Sequence, residues 1–119
     1  MREILTPFPD ALLEAPRWWV ALSGGADSVA LLYALAAYRD AASAPPLYAI
    51  HVNHGLHTAA GEWADLCQRH ADRLDVPLHI NVCNIEPSGR GVEADARRER
   101  YQVFESVLAE GDVLFTAHH

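Results

Sequence analysis

The six residues at positions 23–28 (SGGADS) have types and an order that suit phosphate binding. The adjacent glycines Gly24 and Gly25 lack Cβ atoms, so the backbone there can turn tightly and approach an anion closely. The hydroxyls of Ser23 and Ser28 add hydrogen-bond donors. If a helix begins here, its first N–H groups and its dipole also face the anion. These residues therefore predict a phosphate-binding loop.

Asp27 is the unusual member of this loop, because a carboxylate beside phosphates is repulsive on its own. The repulsion is offset if Asp27 binds Mg²⁺, a hard cation that takes oxygen ligands. The Walker pattern is absent, since all nine basic residues are arginine and the chain contains no lysine. The pattern G-x-G-x-x-G is absent as well. The alternative is a plain glycine-rich turn in which Asp or Ser caps a helix.

The elements that would position this loop alternate along the chain. Short apolar runs predict strands, and longer segments of helical length or spacing predict helices. The predicted strands are 17–22, 47–52, 78–83 and 112–116, and the predicted helices are 27–38, 61–74 and 92–109. This order predicts an α/β fold, a doubly wound parallel sheet whose ligand lies beyond the carboxyl ends of the strands. The first helix is apolar nearly all round, which predicts burial in the core.

Domain organisation and composition narrow the class of protein. Residues 1–16 are predicted to be a lead-in segment with one short helical turn, and 17–119 to be the nucleotide-binding domain. Because the chain stops directly after the fourth strand, we interpret it as a fragment of a longer enzyme. The formal net charge of −7 disfavours non-specific nucleic-acid binding. The spacing of Cys67 and Cys83 argues against a disulfide framework, an iron–sulfur site or a zinc site. No membrane-spanning run or signal peptide is found, so a cytoplasmic location is expected.

Two further clusters lie where strands leave the predicted sheet. His51 and Asn53 belong to the stretch 51–56 (HVNHGL), from which they can reach a nucleotide; the alternative is that the histidines only satisfy loop hydrogen bonds. Arg97 and Arg100 share one face of the third helix, whose amino end points to the same rim. Arginine can donate two parallel hydrogen bonds to phosphate. The alternative is a solvated helix with ion pairs, the interpretation we favour for Glu93, Arg98 and Glu99.

These motifs resemble those of a known family. The loop at 23–28 is similar to that of the PP-loop ATP pyrophosphatases, which adenylate a carbonyl oxygen and release pyrophosphate. Together with 51–56 (HVNHGL), 93–101 (EADARRERY) and 116–119 (TAHH), it resembles tRNA(Ile)-lysidine synthetases. The resemblance implies a Rossmann-like sheet, ATP, Mg²⁺, and isoleucine tRNA and free lysine as substrates. Other PP-loop enzymes (a tRNA thiolase or an amidotransferase-type synthetase) and a non-catalytic nucleotide-binding module are the alternatives.

The resemblance also implies roles for particular residues. Catalytic roles fall to Asp27, Arg97 and His118, and the metal role to Asp27. Nucleotide-binding roles fall to Ser23, Gly24, Gly25, Ala26, Asp27, Ser28, His51 and Asn53. His57 stands where the family often has arginine. Most of the contacts to tRNA, and a second carboxylate for the metal, are expected outside this segment.

Overall fold

The computed structural model describes residues 10–23, 25–53, 60–82, 89 and 91–117. Its elements are α1 (Asp10–Leu13), β1 (Trp18–Ala21), α2 (Ala26–Ala41), β2 (Leu47–Asn53), α3 (Ala60–Arg73), β3 (Leu78–Val82), α4 (Val92–Val107) and β4 (Val113–Phe115). Every predicted strand and helix is present. The largest difference is at the end of α2, which was predicted at residue 38 and lies at 41. None of the helices in these ranges is both long and apolar enough to cross a bilayer.

The strands form a single parallel sheet in the order β3-β2-β1-β4. The chain moves outward from β1 to β3 and then returns to the other side of β1. The direction of winding therefore changes between β1 and β4. In open α/β sheets this is where ligands bind, beyond the carboxyl ends of the strands. The loop that follows β1 lies at this point, as predicted.

Helices cover both faces of the sheet, which confirms the doubly wound architecture. Along β1 the side chains alternate between two hydrophobic clusters, as the two-residue period of a strand requires. Trp18 and Val20 belong to the cluster formed with α2 and α3. Trp19 belongs to the cluster formed with α4, where Val103 and Phe104 are buried. The amino ends of α2 and α4 thus meet the same edge of the sheet from opposite faces.

The predicted packing of α2 into the core is present on one side of the helix, although its sequence is apolar nearly all round. Its buried positions form one stripe, namely Ser28, Leu32, Leu35, Ala36 and Tyr38. The exposed positions include Ala30, Ala34 and Ala37. Alanine has the highest helix propensity and tolerates exposure to solvent. The alanines on the outer side of α2 therefore favour helix formation and do not indicate burial. Trp63 on α3 is likewise 39% exposed, and Val82 on the edge strand β3 is 71% exposed.

The carboxyl end of α3 has a Schellman motif. The Val76 N–H donates to the Ala71 carbonyl at 2.9 Å, and the Asp75 N–H donates to the Asp72 carbonyl at 3.3 Å. Asp75 has a φ of 56°, the left-handed conformation that this motif requires and that glycine usually supplies. Arg39 of α2 donates from its guanidinium to the Leu74 carbonyl at 2.7 Å. This contact ties α2 to the end of α3.

Candidate functional site

The start of α2 is open towards the loop. Gly25 precedes the helix with φ −80° and ψ 161°, and no side chain caps it. The first N–H groups of a helix have no acceptor within the helix, so this end can donate to an anion. A φ of −80° suits any residue, and a Cβ at Gly25 would meet Ser23 Oγ at an ordinary 3.4 Å. The missing side chain therefore serves to keep the approach to the helix start clear, not to allow a strained turn.

The two serines of the loop bond to each other and to its backbone. Ser28 Oγ accepts from the Ser23 N–H at 3.1 Å and donates to the Gly25 carbonyl at 3.0 Å. It also lies 3.1 Å from Ser23 Oγ, which accepts from the Gly25 N–H at 3.2 Å. Because the one hydroxyl proton of Ser28 goes to Gly25, Ser23 must donate to Ser28. Ser28 is only 3% exposed, so the structure gives it a bracing role that the sequence did not indicate.

Ala26 and Asp27 are exposed in the first turn of α2. This places the Asp27 carboxylate beside the helix start, where a cation shared with phosphates would lie. Within the described ranges no group of three or more His, Cys, Asp or Glu side chains could hold a metal ion. Oxygen-ligand cations take several ligands, so Asp27 fits Mg²⁺ as one ligand of a set that phosphates and further residues would complete. The metal role of Asp27 stays a prediction.

His51 and Asn53 lie at the carboxyl end of β2, but they differ in exposure. His51 is 3% exposed, and its Nδ1 lies 2.7 Å from the Leu22 carbonyl oxygen, directly before the loop. Asn53 is half-buried at the end of the strand. The sequence predicted that His51 reaches the nucleotide; the structure places its ring beneath the loop and bonded to it. One signal of this burial was present in the sequence: Ala49 and His51 are two residues apart, so their side chains share the face of β2 that packs against α2 and α3.

Arg97 and Arg100 lie on the α4 side of the sheet. They line an open cavity of about 440 Å³, together with Ala94 and Ala96 among the described residues. The Arg97 guanidinium carbon lies 5.2 Å from the centre of the Tyr101 ring, within the range of a cation–π contact. This contact stabilises the orientation of the exposed Arg97 side chain and does not use the N–H groups of its guanidinium. The predicted pairing of Arg97 and Arg100 on one face is confirmed.

Arg98 points to a different environment. Its guanidinium donates to Asp95 Oδ1 at 3.2 Å and lies 3.7 Å from Glu99 Oε1. Ion pairs were the predicted role for Arg98 and Glu99, and the structure confirms it. Asp95, which is 3% exposed, was not singled out from the sequence. The three-residue spacing of Asp95 and Arg98 was the feature of the sequence that could have predicted this ion pair.

Several predicted residues lie outside the described part of the chain. They are Gly24, His54, His57, Cys83, the side chain of Glu93, and His118. Their predicted roles stay predictions. Of the residues that are described, the loop, Asp27 and His51 lie on the α2 and α3 side of the sheet. Arg97 and Arg100 lie on the α4 side, at the same edge.

Comparison with known proteins identifies similar chains. A family model described as a PP-loop domain matches residues 1–119. The tRNA(Ile)-lysidine synthase of Pseudomonas putida is 46% identical over 115 residues, which cover 97% of this chain and 26% of that protein. The synthase of the same name from Pseudomonas fluorescens is 43% identical, covering 90% and 24%. That of Salmonella paratyphi B is 39% identical, covering 92% and 25%. The chain thus spans about a quarter of the length of these relatives.

A solved structure shares the fold. The U34-tRNA thiolase NcsA from Methanococcus maripaludis, determined with its [4Fe-4S] cluster, superposes with a TM-score of 0.70. The match covers 96% of this chain and 42% of the thiolase, at 22% sequence identity. At this identity the likeness concerns the fold alone.

Proposed function

Because the chain belongs to the PP-loop domain family, we propose that it is the ATP-binding part of a tRNA-modifying ligase. The reaction we propose joins free lysine to C2 of the wobble cytidine of an isoleucine tRNA through an adenylated tRNA. The observation that carries the proposal is the uncapped start of α2 behind Gly25, with exposed Asp27 in its first turn. The names of relatives that are 39–46% identical support the choice of substrate.

The chemistry explains why the domain needs ATP. The C2 oxygen of cytidine is a poor leaving group until it becomes a phosphate ester. It attacks the α-phosphorus, and pyrophosphate leaves; the lysine amine then attacks C2, and AMP leaves. When bound, Mg²⁺ neutralises the charge that develops on pyrophosphate.

The residues of this chain would contribute orientation and positive potential. The start of α2 would donate N–H groups to the phosphates, with Ser23 and Ser28 keeping the loop in shape. Asp27 would hold the metal from the exposed side of this turn. Arg97 and Arg100 would approach from the opposite face of the sheet, where guanidinium groups can each donate two hydrogen bonds to phosphate oxygens. The cavity that they line would receive either the nucleotide or the cytidine.

The alternatives differ in what they require of the cysteines and of Asp27. The absence of a C-x-x-C pair, and a Cys67 that is buried in the core, disfavour a thiolase. A non-catalytic nucleotide-binding module would have no need of an exposed carboxylate beside its phosphate loop. An amidotransferase-type synthetase would adenylate a small carbonyl substrate in place of tRNA. The module therefore predicts no exchange, and the amidotransferase-type synthetase predicts exchange without tRNA. The thiolase predicts exchange that depends on tRNA but no lysidine when lysine is added.

The test is ATP–pyrophosphate exchange catalysed by the full-length protein. We expect exchange that requires isoleucine tRNA and proceeds without lysine, and we expect added lysine to yield lysidine and AMP. Absence of tRNA-dependent exchange would refute the proposed function. Exchange that proceeds without tRNA would point to a small-molecule substrate instead.

Two variants test the residues assigned to this site. Asp27→Asn should reduce Mg²⁺-dependent exchange by about 100-fold or more, because a metal ligand loses its charge. Arg97→Gln should lower kcat/KM by roughly 10- to 100-fold, as expected for a charged hydrogen-bond donor that acts on the transition state. Arg73→Gln is the matched control, since Arg73 is exposed near the far end of α3. Wild-type exchange by Asp27→Asn would remove Asp27 from the metal role.

A further inference from the structure

The peptide group between Leu22 and Ser23 is held by side chains at both of its polar atoms. Its carbonyl oxygen lies 2.7 Å from His51 Nδ1, and its N–H donates to Ser28 Oγ at 3.1 Å. The paired register of β1 and β2 ends one residue earlier, at Ala21 and Ile50. Leu22 adds a single backbone bond, from its N–H to the Ile50 carbonyl at 2.8 Å. His51 therefore continues the connection between the two strands after their register ends.

The geometry fixes which ring nitrogen of His51 carries the proton. A carbonyl oxygen only accepts, so Nδ1 must be the donor in the 2.7 Å bond to Leu22. In a neutral ring Nε2 is then the acceptor. If His51 instead contacted a nucleotide as a hydrogen-bond donor, the proton would be donated from Nε2. The two roles can be separated because they use different atoms.

Cys67 of α3 packs against the same ring without competing for this bond. Its Sγ lies 3.8 Å from His51 Nδ1, much farther than the Leu22 oxygen. Cys67 is fully buried, and burial raises the pKa of its thiol to about 11. The sulfur is therefore a neutral, weak acceptor at physiological pH. It packs beside the ring from α3 and leaves the Leu22 oxygen as the nearer partner of Nδ1.

We propose that His51 is a positioning residue that orients the phosphate loop from below, by donating from Nδ1 to the Leu22 carbonyl. The peptide that it holds leads directly into Ser23, whose N–H and hydroxyl are bonded to Ser28. Rotation of this peptide would break both serine contacts and move the loop away from the start of α2. The proposal rests on the proposed function only where it concerns activity. The bond itself is a property of the folded chain.

The experiment compares three substitutions in the full-length protein. In His51→Asn the side-chain amide nitrogen lies near the position of Nδ1, whereas in His51→Gln it lies near that of Nε2; His51→Ala removes both. We expect His51→Asn to keep kcat for exchange within about threefold of wild type. We expect the other two to lose roughly tenfold or more in kcat, with a smaller change in KM for ATP, because misplaced phosphates react slowly. Near-wild-type His51→Gln with impaired His51→Asn would overturn the proposal, as would three variants that all behave as wild type.

A second measurement does not depend on activity. Histidine-labelled wild-type protein should show, by ¹⁵N NMR, a ring that carries a proton at Nδ1. The signal is assigned to His51 by its loss in His51→Asn. A ring protonated at Nε2 and not at Nδ1 would overturn the proposal even if exchange activity is normal. If wild type shows no tRNA-dependent exchange but the Nδ1 proton is present, the proposed function fails and the bond to the loop stands.

Discussion

Asp112 joins β1, β4 and the end of α4 through one buried carboxylate. Its side chain is fully shielded from solvent and accepts from Arg17 Nε at 3.1 Å, from Trp19 Nε1 at 3.0 Å and from the Ala109 N–H at 2.8 Å. Burial alone would raise the pKa of this carboxyl. The hydrogen bonds from Ala109, Trp19 and Arg17, together with the charge of Arg17, outweigh burial and hold the pKa below its usual value.

Asp112→Ala should destabilise the domain by about 2–3 kcal/mol. The main cost is the Trp19 indole N–H, which is buried and would lose its acceptor, at about 1–3 kcal/mol. The Ala109 N–H is exposed, and Arg17 is 38% exposed, so both can bind water and add little. Asp112→Asn keeps one acceptor oxygen and should cost only about 1 kcal/mol.

The charged form of Asp112 also sets the sign of a pH dependence. The pKa of Asp112 is lower in the folded than in the unfolded chain. The ionised carboxylate therefore stabilises the fold at pH values above its pKa in the unfolded chain, about 4. This stabilisation is lost as the pH falls through the pKa of Asp112 in the folded chain. The difference in stability between wild type and Asp112→Asn should therefore shrink below about pH 4.

Urea unfolding followed by tryptophan fluorescence measures these effects, since Trp19 contacts the carboxylate. Asp40→Asn serves as the control, because the Asp40 side chain is 67% exposed in its ion pair with Arg39. It should change stability by less than about 0.5 kcal/mol. An unchanged unfolding midpoint for Asp112→Ala would refute the reasoning, and so would a difference between wild type and Asp112→Asn that is the same at all pH values.

Three other predictions follow from local geometry. Asp75→Gly should raise stability by about 0.5–1 kcal/mol, because φ is 56° there, and Asp75→Val should lower it; thermal unfolding compares the two. Gly111→Ala should cost about 1–2 kcal/mol, because φ is 87° and a Cβ would lie 3.3 Å from Pro16 Cδ; a midpoint equal to that of wild type would contradict this. Cys67 should resist alkylation at neutral pH and react only near its pKa of about 11 or after unfolding, as measured on its peptide by mass spectrometry.

The sequence predicted the order of elements because each one carries its own local signal. The short apolar run of β1 and the apolar stripe of α4 are short-range patterns, so the bounds of both elements were placed within a few residues. Side-chain bonds between residues far apart in the chain were not predictable in this way. His51 and Leu22 are 29 residues apart, and Arg17 and Asp112 are 95 apart, so neither pair leaves a trace in local spacing. Ser28 also could not be interpreted from its residue type alone. A serine in the loop suggested a donor to phosphate, but the fold shows that its hydroxyl proton is donated to the Gly25 carbonyl.

The net charge of the chain affects which of the proposed substrates this domain can bind. A net charge of −7 repels a long polyanion at a distance, whereas the start of α2 and the pair Arg97 and Arg100 act locally. At physiological ionic strength such fields fade over about 8 Å. The charged triphosphate of ATP is small enough to lie within that range of the start of α2, but tRNA is not. We therefore expect this domain to select the nucleotide and the reacting cytidine, and residues outside it to supply most of the affinity for tRNA.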